Sequence, residues 1–365
     1  MNSIKPLHFN NMNKTITVLP GDGIGPEIMA QAVKVLEAVT LKFSHNFTFN
    51  YGLIGSCAID ECGNPYPFET HQMCIECDAI LFGAIGDPKY DNNPAAKIRP
   101  EQGLLKMRKE LGLYANIRPV ELIPSLSHRS PLKEDKIKGA DMVIVRELTG
   151  GIYFGEPRGR SPYSLTAFDT CVYSANEIER VARLAFKLAS DRRGRVTLVD
   201  KANVLETSRL WREVVTDLHK SEFQEIELEF MFVDNAAMQL VTCPAKFDVL
   251  LTENMFGDIL SDEASVLTGS IGLLPSASFG EGSPLFEPIH GSYPQAAGKN
   301  IANPMAAILS AAMMLRDAFG LEREADAVKS ACHRAIEEGW LTPDLCDERT
   351  AKTTTEVGEY ISLLL

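Results

Sequence analysis

From residue 14 onward, short apolar runs of strand length alternate with longer stretches of helical period. Lys14–Leu19 is followed by Ile28, Ala32, Val35, Leu36 and Val39 on one helical face. Strand-like runs recur at 47–53, 77–82, 141–145, 195–201, 226–233 and 247–251. Helical patterns follow several of them, at 174–188, 205–219 and 259–267. Ser174 and Glu177 form a capping-box start for one of these helices. Strand alternating with helix predicts an α/β fold, with a large, mostly parallel sheet flanked by helices. The 365 residues suffice for two domains or one large two-lobed unit.

Pro20-Gly-Asp-Gly-Ile-Gly25 is a tight turn between the first strand and the first helix, and Pro26 suits the first helical position. The order suggests a dinucleotide-binding turn, but the spacing is GxGxG and no acidic residue closes a second strand at the expected distance. The spacing therefore does not support a Rossmann fingerprint, and a structural turn is the better reading. Residues 87–100 form a polar loop, 133–138 a lysine-rich connector and 156–173 an extended arm. Residues 269–304 are rich in glycine and proline, and three apolar helices close the chain at about 304–319, 322–338 and 355–364.

The net charge of −13 argues against nucleic acid or an anionic membrane as partner. It leaves room for a small anion, because a few local arginines override a global field. The eight cysteines are unevenly spaced, and the lone Cys74–Cys77 pair has no second pair to make a zinc site. Thiols in a reducing cytosol fit better, so the expected location is cytoplasmic. Residues 1–13 carry no apolar core of a signal peptide and read as a loose tail, with Met12 as a possible second start. The longest apolar segment, 305–315, is too short to span a bilayer.

The most informative stretch is Glu253-Asn-Met-Phe-Gly-Asp-Ile-Leu-Ser-Asp-Glu263. On a helix, Asp258 and Asp262 lie one turn apart with their carboxylates on one face. They form either a solvated acidic helix start or two ligands of a divalent cation. Asp234, at the end of another strand, either begins a helix as a cap or completes that site. Oxygen ligands of this kind suit Mg²⁺ or Mn²⁺. Lys201, also at a strand end, is either an exposed cation or a general base beside the metal. Arg108, Arg118 and Arg146 stand at element junctions. Each pairs with a nearby acid such as Glu147, or the three converge on a dicarboxylate. Tyr153 sits among glycines as a proton donor or a packing residue, and His290 lies in a loop where Gly291 allows close approach.

Several motifs, in order, resemble one family: 19–27 (LPGDGIGPE), 103–108 (GLLKMR), 114–119 (YANIRP), 146–153 (RELTGGIY), 199–203 (VDKAN), 256–262 (FGDILSD), 287–292 (EPIHGS) and 301–304 (IANP). They are similar to those of the β-decarboxylating, isocitrate/isopropylmalate dehydrogenases, and most to the isopropylmalate branch. The resemblance implies oxidative decarboxylation of (2R,3S)-3-isopropylmalate to 4-methyl-2-oxopentanoate with reduction of NAD, a step of leucine biosynthesis. Tartrate or D-malate is the alternative substrate.

Further expectations come with the resemblance. Arg108, Arg118 and Arg146 hold the substrate, Asp258 and Asp262 the metal, and Tyr153 is the acid. Asp234 and Lys201, the latter as base, come from the partner of an obligate homodimer. Leu104 falls at the substrate's γ-group and suits an isopropyl side chain. NAD lies along 88–101 and 290–303, with contacts from Ile24, Glu101, Glu287, His290, Gly291, Ser292, Gln295, Asn303 and Asp344. Gln295 stands where NAD-dependent members often carry an acid, and no lysine or arginine is there to greet a 2′-phosphate. The implied division is 1–113 with 269–365 as one domain and 114–268, carrying the metal and catalytic residues, as the other.

Overall fold

The computed structural model describes residues 11–93, 96–163 and 165–365. Most of the tail at 1–13 lies outside them. The chain forms two compact units, Met1–Gly103 with Phe286–Leu365, and Leu104–Leu285. Residues 104–113 and 269–285, expected in the first domain, belong to the second unit.

In the first unit the strands are β1 (Asn13–Gly21), β2 (Asn46–Tyr51), β3 (Ala79–Ala84) and β12 (Leu285–Pro288), in the order β2-β1-β3-β12. β1 runs parallel to both β2 and β3. Its helices are α1 (Gly25–Phe43), α2 (Ser56–Cys62), α3 (Phe68–Glu76), α4 (Pro88–Asp91), α11 (Met305–Met313), α12 (Glu322–Glu337) and α13 (Thr354–Leu364). A π turn at Met314–Ala318 follows α11. The apolar face predicted for the first helix is buried: Ile28, Ala32, Val35, Leu36 and Val39 have no exposed surface. α1 packs on α11 and α13. Gly358 of α13 makes that approach possible, since a Cβ there would lie 2.4 Å from Gln31 Oε1. α2 and α3 were not evident in the sequence.

The glycine turn is structural. Gly23 has φ +59°, and a Cβ on it would lie 2.0 Å from the Ser292 carbonyl oxygen. Ile24 N donates to that same oxygen at 2.8 Å. Asp22 is buried and accepts from the amides of Ser56, Cys57 and Gly86 at 2.9, 3.0 and 2.9 Å. Burial pushes its pKa up against the pull of these donors. The turn thus joins the start of α2 and the loops at Gly86 and Ser292.

α5 (Pro100–Glu110) carries the chain from the first unit into the second. The second unit contains β4 (Leu113–Glu121), β5 (Asp141–Glu147), β8 (Arg195–Asp200), β9 (Glu227–Phe232), β10 (Val249–Thr252) and β11 (Pro275–Gly280), in the order β11-β4-β5-β10-β8-β9. β5, β10, β8 and β9 are parallel, as expected. β4 is antiparallel to both neighbours, β5 and β11. The helices are α6 (Glu134–Ile137), α7 (Ala175–Ser190), α8 (Glu206–Glu222), α9 (Val233–Thr242) and α10 (Asn254–Ser265). The capping box of Ser174 and Glu177 opens α7. The expected arm contains a two-stranded antiparallel ladder, β6 (Gly159–Arg160) with β7 (Ala167–Phe168). Met142, Ile144, Phe247, Leu250 and Leu260 form part of one buried cluster. Each such side chain contributes ~1.5–3 kcal/mol by leaving water. α10 ends earlier than its apolar pattern suggested, and Ile259 and Val266 are 59% and 43% exposed.

Candidate active site

The site of the second unit is built where β5 and β10 end. Thr252 pairs with Arg146 across these strands, and Asn116 of β4 lies opposite Arg146 on the other side. The carboxyl ends of parallel strands are where open α/β sheets bind ligands. The chain turns into α10 directly after Thr252 and Glu253. The Glu253 side chain caps this helix by accepting from Phe256 N at 2.8 Å. Asp258 and Asp262 then follow one turn apart.

Asp258 gathers the expected binding groups. Arg146 Nη1 bonds its Oδ1, Tyr153 Oη donates to its Oδ2 at 2.9 Å, and Arg118 Nη2 lies 3.7 Å from Oδ1. Arg118 Nη1 is 3.9 Å from Asp262 Oδ1. Burial would raise the Asp258 pKa, but the Arg146 and Arg118 guanidiniums outweigh it and hold the carboxyl below its usual range. Asp262 goes the other way: burial raises it and Arg118 only partly opposes that. Burial, reinforced by Asp258, pushes the Tyr153 phenol up to about 12. The phenol is therefore protonated across the neutral range.

Arg118 and Arg146 are not paired with Glu147. That wholly buried acid is occupied by Thr149 N, Thr149 Oγ1 and Gly150 N, at 2.8, 2.9 and 2.8 Å. Arg108 is also buried, and its charge acts on both Arg146 and Asp258. Leu104, half-buried, precedes Arg108 by one turn of α5, so the two share a face. Three groups that hold the arginines were not singled out in the sequence. Asn116 Oδ1 accepts from Arg118 Nε at 2.6 Å, Ser261 Oγ bonds Arg118 Nη1 at 2.5 Å, and Asn254 holds Arg146. Asn116 had a readable signal, because residues two apart on a strand share a face and Arg118 is its partner.

Asp234 and Lys201 are ion-paired with each other. Asp234 sits in the first turn of α9, whose N-cap is Phe232, so it is not the helix cap. The bond from Lys201 holds its carboxyl below the usual range. Among the described residues of one chain, no three His, Cys, Asp or Glu side chains gather as a metal site. The donors at Asp258 and Asp262 are all hard oxygens, which fits Mg²⁺ or Mn²⁺.

The expected dinucleotide residues all fall in the first unit. Ile24, Glu287, Ser292 and Asn303 are buried, while Gly291 and Gln295 are exposed. Asn303 Nδ2 donates to Asp344 Oδ2 at 3.1 Å. His290 Nδ1 lies 2.9 Å from the Gly291 carbonyl oxygen, and its buried Nε2 has no hydrogen-bond partner among the described residues. Burial lowers the His290 pKa. An orphaned buried ring nitrogen beside an open glycine, where a Cβ would meet nothing within 4 Å, fits a polar ligand along 290–292.

The sequence pattern of the isocitrate/isopropylmalate dehydrogenase family matches residues 15–361. The chain belongs to that family. Its relatives within the family include the 3-isopropylmalate dehydrogenase of Geobacillus kaustophilus, 59% identical over 97% of this chain and 96% of that protein. The 3-isopropylmalate dehydrogenase of Bacillus subtilis is 56% identical over 96% of each chain. Among solved family structures, isocitrate dehydrogenase from Methylococcus capsulatus superposes with a TM-score of 0.86 at 34% identity, covering 96% of this chain and 99% of that one. The β-decarboxylating dehydrogenase of Thermococcus kodakarensis gives 0.77 at 38% identity, covering 96% of each.

Proposed function

We propose that this chain is a 3-isopropylmalate dehydrogenase of leucine biosynthesis. It oxidises (2R,3S)-3-isopropylmalate and releases CO₂ to give 4-methyl-2-oxopentanoate, using NAD and Mg²⁺ or Mn²⁺. One observation carries the reading: Asp258 holds Arg146 and Tyr153 at once, which unites a carboxylate-binding group, an acid and a metal ligand at one carboxyl. High identity to two enzymes of that name supports the substrate. Leu104, apolar and one turn from Arg108, suits an isopropyl group and would leave a third carboxylate unpaired.

The residues divide the chemistry. Arg108, Arg118 and Arg146 pin the substrate carboxylates, and Asp258 and Asp262 hold the cation. When bound, the cation supplies Lewis acidity toward substrate oxygens, and NAD supplies the hydride acceptor. Lys201 takes the hydroxyl proton. Tyr153, kept protonated by burial and Asp258, returns a proton to the carbon that lost CO₂.

The functional unit is a homodimer in which the partner's Lys201 and Asp234 complete each site. Support comes from Asp234 pairing with Lys201 rather than joining Asp258 and Asp262 in one chain. It also comes from exposed apolar groups on two packed helices, Met238 and Val241 of α9, Ile259 of α10 and Val266 at its end. The cytoplasm is the proposed location, in keeping with eight unbridged cysteines. No helix among the described residues is long and apolar enough to cross a membrane. The test is NADH formation with 3-isopropylmalate, D-malate, tartrate and isocitrate, with Mg²⁺ or with chelator. Turnover of isopropylmalate that chelator abolishes is expected. Faster turnover of D-malate or tartrate would overturn the substrate.

A further inference from the structure

Arg146 is held on two sides. Its Nη1 bonds Asp258. Its other edge, Nε and Nη2, is taken by one oxygen, Asn254 Oδ1, at 3.1 and 2.8 Å. Asn254 is 1% exposed and opens α10. Its side-chain amide and its backbone N–H are both committed. Nδ2 donates to the Gly150 carbonyl at 3.1 Å, and the backbone N donates to Tyr173 Oη at 2.9 Å. Tyr173 Oη in turn donates to Glu253 Oε2 at 3.1 Å. Reversing the amide would set NH₂ against two guanidinium N–H groups and oxygen against the Gly150 carbonyl, so the network fixes its orientation.

We propose that Asn254 is a positioning residue that aims Arg146 at the substrate carboxylate, as a neutral acceptor that fixes the guanidinium without cancelling its charge. The chemistry of the position decides this. A guanidinium has five donors in a rigid fork, and occupying the Nε–Nη2 edge leaves the Nη1 end facing Asp258. A carboxylate at residue 254 would fix the fork as well. It would also set a second carboxylate against a guanidinium that already bonds Asp258, and the substrate carboxylate would then compete with two internal anions. An amide supplies the acceptor and adds no further negative charge beside the guanidinium. The same amide reaches Gly150, in the glycine segment that leads to Tyr153, so the arginine and the acid share one anchor.

This inference rests on the proposed substrate class, and the test separates the two. Asn254→Asp and Asn254→Ala are compared with the wild type in two assays: calorimetric binding of (2R,3S)-3-isopropylmalate with Mg²⁺, and steady-state kinetics. Asn254→Asp keeps the side-chain shape, so it serves if the alanine variant fails to fold. The expected result is a substrate Kd and KM raised ~10-fold or more in both variants, with KM for NAD unchanged. A merely structural role would shift both Michaelis constants or lower Tm without that split. Asn254→Asp binding substrate within about twofold of wild type would overturn the inference. Wild-type binding without NADH formation would overturn the proposed reaction and leave the Kd comparison to judge Asn254. Wild type that does not bind the substrate overturns both.

Discussion

Tyr153 donates its phenolic hydrogen to Asp258 Oδ2 at 2.9 Å while Arg146 holds the opposite oxygen of the same carboxylate. The proposed acid and the proposed carboxylate-binding group are therefore tied through the proposed metal ligand. Removing any of the three disturbs the other two.

Tyr153→Phe removes the proton donor and keeps the ring. A drop in kcat of ~10²-fold or more is expected, with a small change in KM. The phenol pKa is raised from 10.0 to about 12, so its stabilising contribution is complete below the unfolded value and is lost as pH rises through the folded one. The Tm difference between wild type and Tyr153→Phe should be flat below pH 10 and shrink between 10 and about 12. A difference that shrinks near neutrality would contradict the assignment.

Lys201→Ala should nearly abolish turnover, by ~10²-fold or more, while Mn²⁺ titration stays close to wild type. Near-normal kcat would remove Lys201 from the role of base.

Asp258→Asn deletes the charge that Arg146 and Arg118 face. Weaker Mn²⁺ and substrate binding together are expected, by ~10-fold or more for the metal. Calorimetry measures both, and unchanged metal affinity would count against the ligand role.

Gly257→Ala tests how α10 closes on Arg146. A Cβ there would lie 2.7 Å from Arg146 Cγ and 2.3 Å from Thr252 Oγ1, closer than side-chain carbons come. The overpacking should cost ~1–3 kcal/mol in stability and raise KM for the substrate. Wild-type Tm and KM would show that the helix can retreat at no cost.

Gln295 is exposed on the turn Pro294–Ala296, offering a neutral partner to a ribose diol. NAD should be used with a kcat/KM well above that for NADP. Comparable values for the two cofactors would refute the preference.

Much of this was readable from residue order. The strands leading to Arg146 and Lys201, the apolar run 247–251 and the one-turn spacing of Asp258 and Asp262 follow from periodicity, and α7 from its capping box. What escaped has physical causes. β11 and β12 lie in a glycine- and proline-rich stretch, and the buried Ser276 and Ser278 of β11 interrupt any apolar alternation because they meet the Asn116 amide. α2 and α3 are short helices whose ends are set by tertiary contacts such as Asp22 on the Ser56 and Cys57 amides. Asn254 looked like one polar residue in an acidic helix start, and only the position of Arg146 gives it meaning.

The first compact unit is assembled from both ends of the chain, with α1 resting on α11 and α13. During synthesis, residues 11–103 must wait, with the apolar face of α1 uncovered, until 286–365 leave the ribosome. The second unit, continuous from Leu104 to Leu285, has all its segments available earlier and so is first to complete its core. Any early-stop product lacking the last helices would therefore present the surface that chaperones and proteases seize, even though its second unit is whole.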